Sequence, residues 1–316
     1  MAIECCNLYK RYGQIRAADG VSFEVYPGRV CGLLGPNGAG KTTTIRMLTT
    51  VIKPCSGTAR VCGYDIIRDA AKVRRCAAVV PQSVWMNHYL SVWDNILVYL
   101  LLRGLTWREA KHRASWAVEV FGLEKYIRFR CEQLSGGLIR RVQVARTLAS
   151  PAQCYFLDEP SIGLDPKMKV EFWGQLSALV RASGGTTLIT THQMEEVEAL
   201  CDDVILIDKG RVVATGSVKA LTEQLGVTTA EVDLAADRRP PAEELERLGM
   251  EWACEGNTLR LRFKRGAEML PRLLAALDRN GISIRAVRVV PPKFQDIYLA
   301  LVGDAESSGE AHEAGK

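Results

Sequence analysis

Residues 30–43 read VCGLLGPNGAGKTT, an apolar run that breaks into glycines and ends in a lysine and two threonines. Gly35, Gly40, Lys41 and Thr42 meet the spacing GxxxxGK[ST], and TTTIRMLTTV continues the segment as the opening of a helix. A strand that ends in a glycine-rich turn and passes straight into a helix can aim successive backbone N–H groups at phosphate oxygens, and the helix start adds unpaired donors and the positive end of its dipole. Gly35, Pro36, Asn37, Gly38, Ala39, Gly40, Lys41, Thr42 and Thr43 are therefore the candidate nucleotide cradle, with Lys41 neutralising phosphate charge and the Thr42 hydroxyl offered to magnesium (Mg2+).

The rest of the composition suits a globular chain with more than one domain. The chain has 316 residues, 47% hydrophobic and 24% charged, enough to bury an ordinary core. Its net charge of +5, from 41 basic and 36 acidic residues, is too small an excess to imply direct nucleic-acid binding without a clustered basic stripe, and the sequence has none. The longest apolar run, ILVYLLL at 96–102, is far short of a membrane span. The opening MAIECCNLYKRYG has no apolar leader, so the cytoplasm is the expected compartment. Ten cysteines without a C-x-x-C pair, several in apolar runs such as those around Cys31 and Cys154, read as reduced core residues.

Patterning places the motifs. Strands are expected at 2–9, at 21–26 (VSFEVY alternates) and at 79–81, followed by an amphipathic helical insert over about 85–150 that includes a helix at 109–121. CYFLDEP (154–160) and TTLITTH (186–192), joined by a crossover helix, read as parallel strands of an α/β sheet, and VILIDKGRVVATG (204–216) reads as a hairpin. After a linker at 219–228, residues 229–302 alternate as a small α+β domain, and 303–316 read as a disordered acidic tail.

Asp158 and Glu159 stand side by side at the end of an apolar strand. Adjacent strand-end acids point in different directions, so one can hold magnesium while the other orients or deprotonates an attacking water.

With these residues in place a resemblance becomes specific. LSGGLIRR at 134–141 resembles the signature sequence of ABC-type ATPases, and the other motifs of that family follow in register: Tyr12 in KRYG, Gln82 in VVPQ, SIGLD at 161–165 and His192 in TTH. The resemblance covers residues 3–216 and implies a P-loop NTPase of the ABC ATPase type, in which an α/β core carries an antiparallel β subdomain and a helical subdomain and precedes the small α+β domain. It implies that Tyr12 stacks on adenine, Lys41 contacts the β- and γ-phosphates of ATP, and Thr42, Gln82 and Asp158 serve magnesium and its water. Glu159 is then the general base and His192 holds the γ-phosphate. Ser135, Gly136 and Gly137 would cap the γ-phosphate bound to a second copy of the chain, with Asp165 near the same dimer interface. Departures are mild: Ser161 stands where threonine is commoner, and Leu138 where methionine or glutamine is commoner.

The same resemblance implies a separate membrane permease, which docks a short helix in a groove beside the glutamine loop, where Gln82, Trp85, Met86, Tyr89 and Trp93 are candidates. Trp93 shares a helical stripe with Ile96, Leu97 and Leu100 and is expected in the insert's core, which leaves Trp85 and Met86 as the better candidates. The expected location is the cytoplasmic face of the membrane, peripheral, through the permease. TTHQMEEVEALCDD and the closing PPKFQDIYLALVG look most like bacterial drug-exporter ATPases of the daunorubicin-resistance type, with a drug, lipid or other small amphipathic molecule as cargo. A soluble ABC ATPase acting on a ribosome, nucleic acid or regulatory partner is the alternative. It fits less well, since only 117 positions separate Lys41 from Asp158, with no sustained heptad between them, and the chain has a single cassette.

Overall fold

A computed structural model describes residues 1–83, 86–224, 227–235, 245, 250–264 and 266–290. Contacts divide the chain into two compact units, Met1–Ser217 and Val218–Lys316.

The first unit opens with β1 (Ile3–Tyr12), β2 (Ile15–Val25) and β3 (Val30–Leu34), then α1 (Lys41–Leu48), β4 (Ser56–Val61), β5 (Tyr64–Asp65), α2 (Ala70–Cys76) and β6 (Ala77–Val80). Three helices follow, α3 (Val92–Leu102), α4 (Trp107–Val120) and α5 (Gly136–Ala149). The unit closes with β7 (Cys154–Asp158), α6 (Pro166–Ser183), β8 (Thr186–Thr191), α7 (Met194–Leu200), β9 (Asp203–Asp208) and β10 (Arg211–Ser217).

Two sheets result. The larger has the order β10-β9-β3-β8-β7-β6, parallel except for the antiparallel edge strand β10. Parallel strands need both faces covered, and β3, β7 and β8 are accordingly buried along their whole length. The smaller sheet, β2-β1-β4-β5, is antiparallel and contributes its buried face, including Ile3, Leu8, Val21, Phe23 and Val61, to a core shared with α1 and β3. Its first two strands are longer than the 2–9 and 21–26 expected. They stay paired from Ile3 with Val25 to Tyr12 with Ile15, around a turn where Gly13 sits at φ 58°. Toward that turn both strands are exposed or half-buried apart from Ala18, so the alternation that marks a half-buried strand is not clean there.

The helical subdomain is set by its caps and one apolar seam. Thr106 and Glu109 form a reciprocal capping box that starts α4 two residues earlier than its apolar pattern suggests, and Ser91 and Ser135 cap α3 and α5; each such cap contributes about 1 kcal/mol. Alanines 110, 114 and 117 line the buried face of α4, and these small side chains let it lie close to Ile96, Leu97 and Leu100 of α3 and to Val142 and Ala145 of α5. Trp93 packs against this core as expected. Met86 is also part of it, at 8% exposure, which corrects its assignment as a permease-facing surface residue: the thioether is occupied by the helical core. Cys31, Cys131 and Cys154 are buried free thiols, and Cys62 Sγ lies 3.1 Å from Cys154 Sγ.

The second unit begins with α8 (Val218–Gln224) and β11 (Val227–Leu234), so the segment read as a linker at 219–228 carries a helix and the start of a strand. β12 (Glu251–Glu255), β13 (Thr258–Lys264), α9 (Gly266–Arg279) and β14 (Ile284–Val290) complete an antiparallel sheet of order β12-β13-β11-β14 with a helix against it. Ala230, Val232 and Leu234, spaced by two along β11, meet Leu273 and Leu277 in its core. The sequence read as its last segment, 291–302, and the acidic tail at 303–316 lie outside the described residues.

Candidate active site

In an open parallel sheet, ligands bind beyond the carboxyl ends of the strands. The four adjacent strands β3, β8, β7 and β6 end, respectively, at the glycine loop, at His192, at Asp158 and Glu159, and at Pro81 and Gln82. One edge of one sheet thus gathers most of the chemistry.

The loop after β3 has no room for a side chain at two of its glycines. A Cβ on Gly40, which sits at φ 100°, would come within 2.1 Å of the Ala17 carbonyl oxygen, and one on Gly35 within 2.1 Å of that of Ile207. Helix α1 starts at Lys41 without a side-chain cap and without an acid in its first turn, so its orphan N–H groups and positive dipole end suit an anion. Lys41 is buried, and its Nζ donates to the carbonyls of Gly35 and Pro36 at 2.8 Å each. Burial lowers its pKa, while the charges of Glu159 and Asp158 pull it partly back up.

Thr42 Oγ1 donates to Asp158 Oδ1 at 3.2 Å, and the Thr190 hydroxyl donates to the same oxygen. A hydroxyl and a carboxylate brought together in this way are hard oxygen donors of the kind magnesium takes, and the residues present fit that ion. Burial raises the pKa of Asp158 above the ordinary carboxylate range, the two hydroxyl donors lower it, the Glu159 charge raises it and Arg140 lowers it; burial wins.

Glu159 occupies the left-handed region at φ 49°, rare for a side-chain-bearing residue. Such a conformation survives only where neighbours over-determine it. Here its N–H donates to the Thr190 carbonyl (3.1 Å) and hydroxyl (3.0 Å), and its carbonyl accepts from Arg140 (2.8 Å) and from the Ile162 N–H (3.1 Å). Its Oε1 lies 3.4 Å from His192 Nδ1. The acid that follows Asp158 is therefore turned toward the histidine of the neighbouring strand.

The remaining candidates are spread over the first unit. Gln82 is exposed, and so is Tyr89, while Trp85 falls outside the described residues. Tyr12 ends β1 with an exposed ring, Lys10 Nζ lying 5.6 Å from its centroid. Ser135 caps α5 by accepting from the Leu138 N–H at 3.3 Å. Gly136 opens that helix on an exposed surface with nothing within 4 Å of where a side chain would be, whereas Gly137 is backed by Leu164. Asp165 caps α6 through the Met168 N–H, with Pro166 at the first helical position.

Three residues that pattern reading passed over organise the site. Thr190 opposes Asp158 in the parallel register of β8 and β7 and binds both acids; its place in TTLITTH was legible once those strands were paired. Arg140 and Gln143 of α5 are buried and reach loops on the sheet edge. The doubled arginine after the signature glycines was their only sequence signal, and it does not say which arginine turns inward.

The family model described as ABC transporter matches residues 18–162. The daunorubicin/doxorubicin resistance ATP-binding protein DrrA of Streptomyces peucetius is 36% identical over an alignment covering 100% of this chain and 97% of the relative. The Nod factor export ATP-binding protein I of Ralstonia nicotianae is 37% identical, covering 94% and 92%. Among solved structures, the ATP binding subunit of an ABC transporter superposes with a TM-score of 0.65 at 26% identity, covering 72% of this chain and 94% of its own. A dimeric ATP-binding cassette bound to ADP and Pi has the same fold, with a TM-score of 0.62 at 24% identity over 68% and 98%.

Proposed function

We propose that this chain, which belongs to the ABC transporter ATP-binding family, is the ATP-hydrolysing subunit of an exporter, working as a dimer on the cytoplasmic face of a membrane permease. The observation that carries the reading is the gathering of Lys41, Thr42, Asp158, Glu159 and His192 at the ends of three adjacent strands, with the signature glycine Gly136 left open on the surface. No helix among the described residues is long and apolar enough to cross a membrane, and the pore in this reading is a separate permease. Relatives named for drug resistance and for Nod factor export match it almost equally, as expected of a motor that does not touch its cargo. A drug, lipid or other small amphipathic molecule is the proposed cargo class.

The chemistry follows from the groups in place. Lys41 exchanges its two loop carbonyls for the β- and γ-phosphate oxygens, while Tyr12 stacks on adenine. Thr42, Asp158 and Gln82 hold magnesium, which supplies neutralisation of the phosphate charge. A carboxylate oxygen of Glu159 takes the proton of the attacking water as His192 holds the γ-phosphate. Ser135, Gly136 and Gly137 of a second copy close on that phosphate. Once the phosphate departs, nothing remains for them to hold across the interface, so hydrolysis opens the dimer. Two identical chains form that dimer in the simplest arrangement, and the sheet-edge loops present Gln82 and Tyr89 to the permease.

Magnesium binding should carry a pH signature. The folded pKa of Asp158 is raised, so the metal-free fold is favoured with this group protonated and loses that contribution as pH rises from the unfolded value through the folded one. The cation needs the carboxylate and restores what ionisation cost. Mg-ATP is therefore expected to raise the melting temperature by an amount that grows as pH rises above the ordinary carboxylate value, and Asp158→Asn is expected to lose most of that growth. An equal pH dependence in wild type and Asp158→Asn would remove Asp158 from the metal site.

The transporter reading is tested by isolating the tagged chain with ATP from gently solubilised membranes of its native host. A polytopic membrane protein in stoichiometric yield supports it. A ribosome or soluble protein in its place supports the non-transport alternative.

A further inference from the structure

Five residues after Ser135, the side chain of Arg140 turns from α5 into the molecule and is 1% exposed. Its Nε donates to the Pro160 carbonyl at 3.1 Å, and Nη2 donates to those of Asp158 (2.6 Å) and Glu159 (2.8 Å). Nη1 donates to the Pro81 carbonyl (2.6 Å), to Gln82 (3.5 Å, the weakest) and to Gln143 Oε1 (2.9 Å). Gln143, fully buried one turn further on, donates Nε2 to the Ser83 carbonyl at 3.2 Å. Two side chains of one helix thus hold three consecutive carbonyls of the glutamine loop, 81–83, and three of the acid loop, 158–160.

The chemistry of the acceptors is informative. A buried arginine usually finds a carboxylate; here every hydrogen-bond acceptor of the guanidinium is a neutral oxygen, and five of the six are backbone carbonyls of the two loops. Burial lowers its pKa to about 10, while the charges of Asp158, Glu196 and Glu159, none of them hydrogen-bonded to it, pull it partly back up. A flat fork of five donors is what simultaneous reading of two loops requires, and an ammonium cannot supply it. The neighbouring Arg141 points elsewhere, to the Phe121 carbonyl and toward Glu171.

We infer that Arg140, with Gln143 as its partner, is a positioning residue: it locks the backbone of Glu159 and of the glutamine loop to the helix that begins with the signature serine. The general base then reaches its productive place only when α5 does, so a permease moving the glutamine loop and a second subunit seating the signature helix act on the same carboxylate. The inference rests on the ATPase reading above.

The test compares wild type with Arg140→Lys, Arg140→Met and Gln143→Met in ATP turnover (kcat and KM), equilibrium ATP binding and melting temperature. Arg140→Lys and Arg140→Met are expected to lower kcat by about 10²-fold, the scale of a small misplacement of a catalytic group. ATP binding should stay within about twofold, because Lys41 and its loop are intact. Lysine keeps the charge and loses the fork, so its failure to rescue separates geometry from charge. Gln143→Met should show a smaller loss of kcat in the same direction. A folded Arg140 variant with kcat within about twofold of wild type overturns the inference. If both Arg140 variants fail to fold, Gln143→Met decides: unchanged kcat overturns it, and a selective loss of kcat supports it. Absence of turnover in wild type itself strikes instead at the ATPase reading, and the inference falls with it.

Discussion

Glu159→Gln is expected to bind Mg-ATP as well as wild type and to hydrolyse it about 10²- to 10⁴-fold more slowly, the usual contribution of a positioned general base. The amide is nearly isosteric and keeps an oxygen within reach of His192 Nδ1, which lies 3.4 Å from Oε1 in the unsubstituted chain. The backbone hydrogen bonds that hold residue 159 at φ 49° involve its N–H and carbonyl only, so they survive the change. What disappears is the capacity to accept a proton. Steady-state phosphate release together with nucleotide binding checks this, and turnover within about tenfold of wild type would remove Glu159 from the base role.

Lys41→Ala is expected to fail at an earlier step. The ammonium is buried beside two carboxylates and donates to two loop carbonyls, a site where charge is poorly solvated and therefore strong toward an incoming phosphate. Removing it should weaken ATP binding and lower turnover by about 10²- to 10³-fold, the scale seen when one preorganised donor is lost. Because burial already disfavours the charged form of Lys41, the variant should remain folded. A purified, folded Lys41→Ala protein hydrolysing ATP at the wild-type rate would contradict the assignment of the glycine loop. The two variants are distinguishable: the first retains nucleotide and stalls, the second does not hold it.

The chemistry-bearing loops were legible because each sits where a short apolar run meets residues of unusual chemistry. VCGLLG before Pro36, YFL before Asp158 and TTLITT before His192 mark three parallel strands, and the sheet order then brings their ends together. Interactions between distant segments were not legible. Nothing local in TTLITTH shows that Thr190 serves both acids; that follows from its register opposite Asp158. Nothing in LSGGLIRR shows that Arg140 is buried and Gly136 open, since both depend on how α5 lies against the sheet edge. Met86 failed for the same reason in the opposite sense. It follows the glutamine loop in sequence, as a permease-facing residue would, but the three-helix core has room for it and takes it. Residues 10–12 of β1 and 15–20 of β2 were missed because that end of the hairpin, exposed or half-buried apart from Ala18, carries no clean alternation to read.

In the proposed cycle ATP closes two copies of this chain on each other and hydrolysis opens them. The mass in solution of purified Glu159→Gln, measured by sedimentation without nucleotide, with Mg-ATP and with Mg-ADP, decides whether it does. The expected result is the mass of one chain alone, of two chains with Mg-ATP and of one chain again with Mg-ADP. The two-chain species should vanish when Ser135→Arg is added to the same protein, because the bulky side chain blocks the signature surface around Gly136. A single-chain mass with saturating Mg-ATP, or a two-chain mass indifferent to nucleotide and to Ser135→Arg, would contradict it.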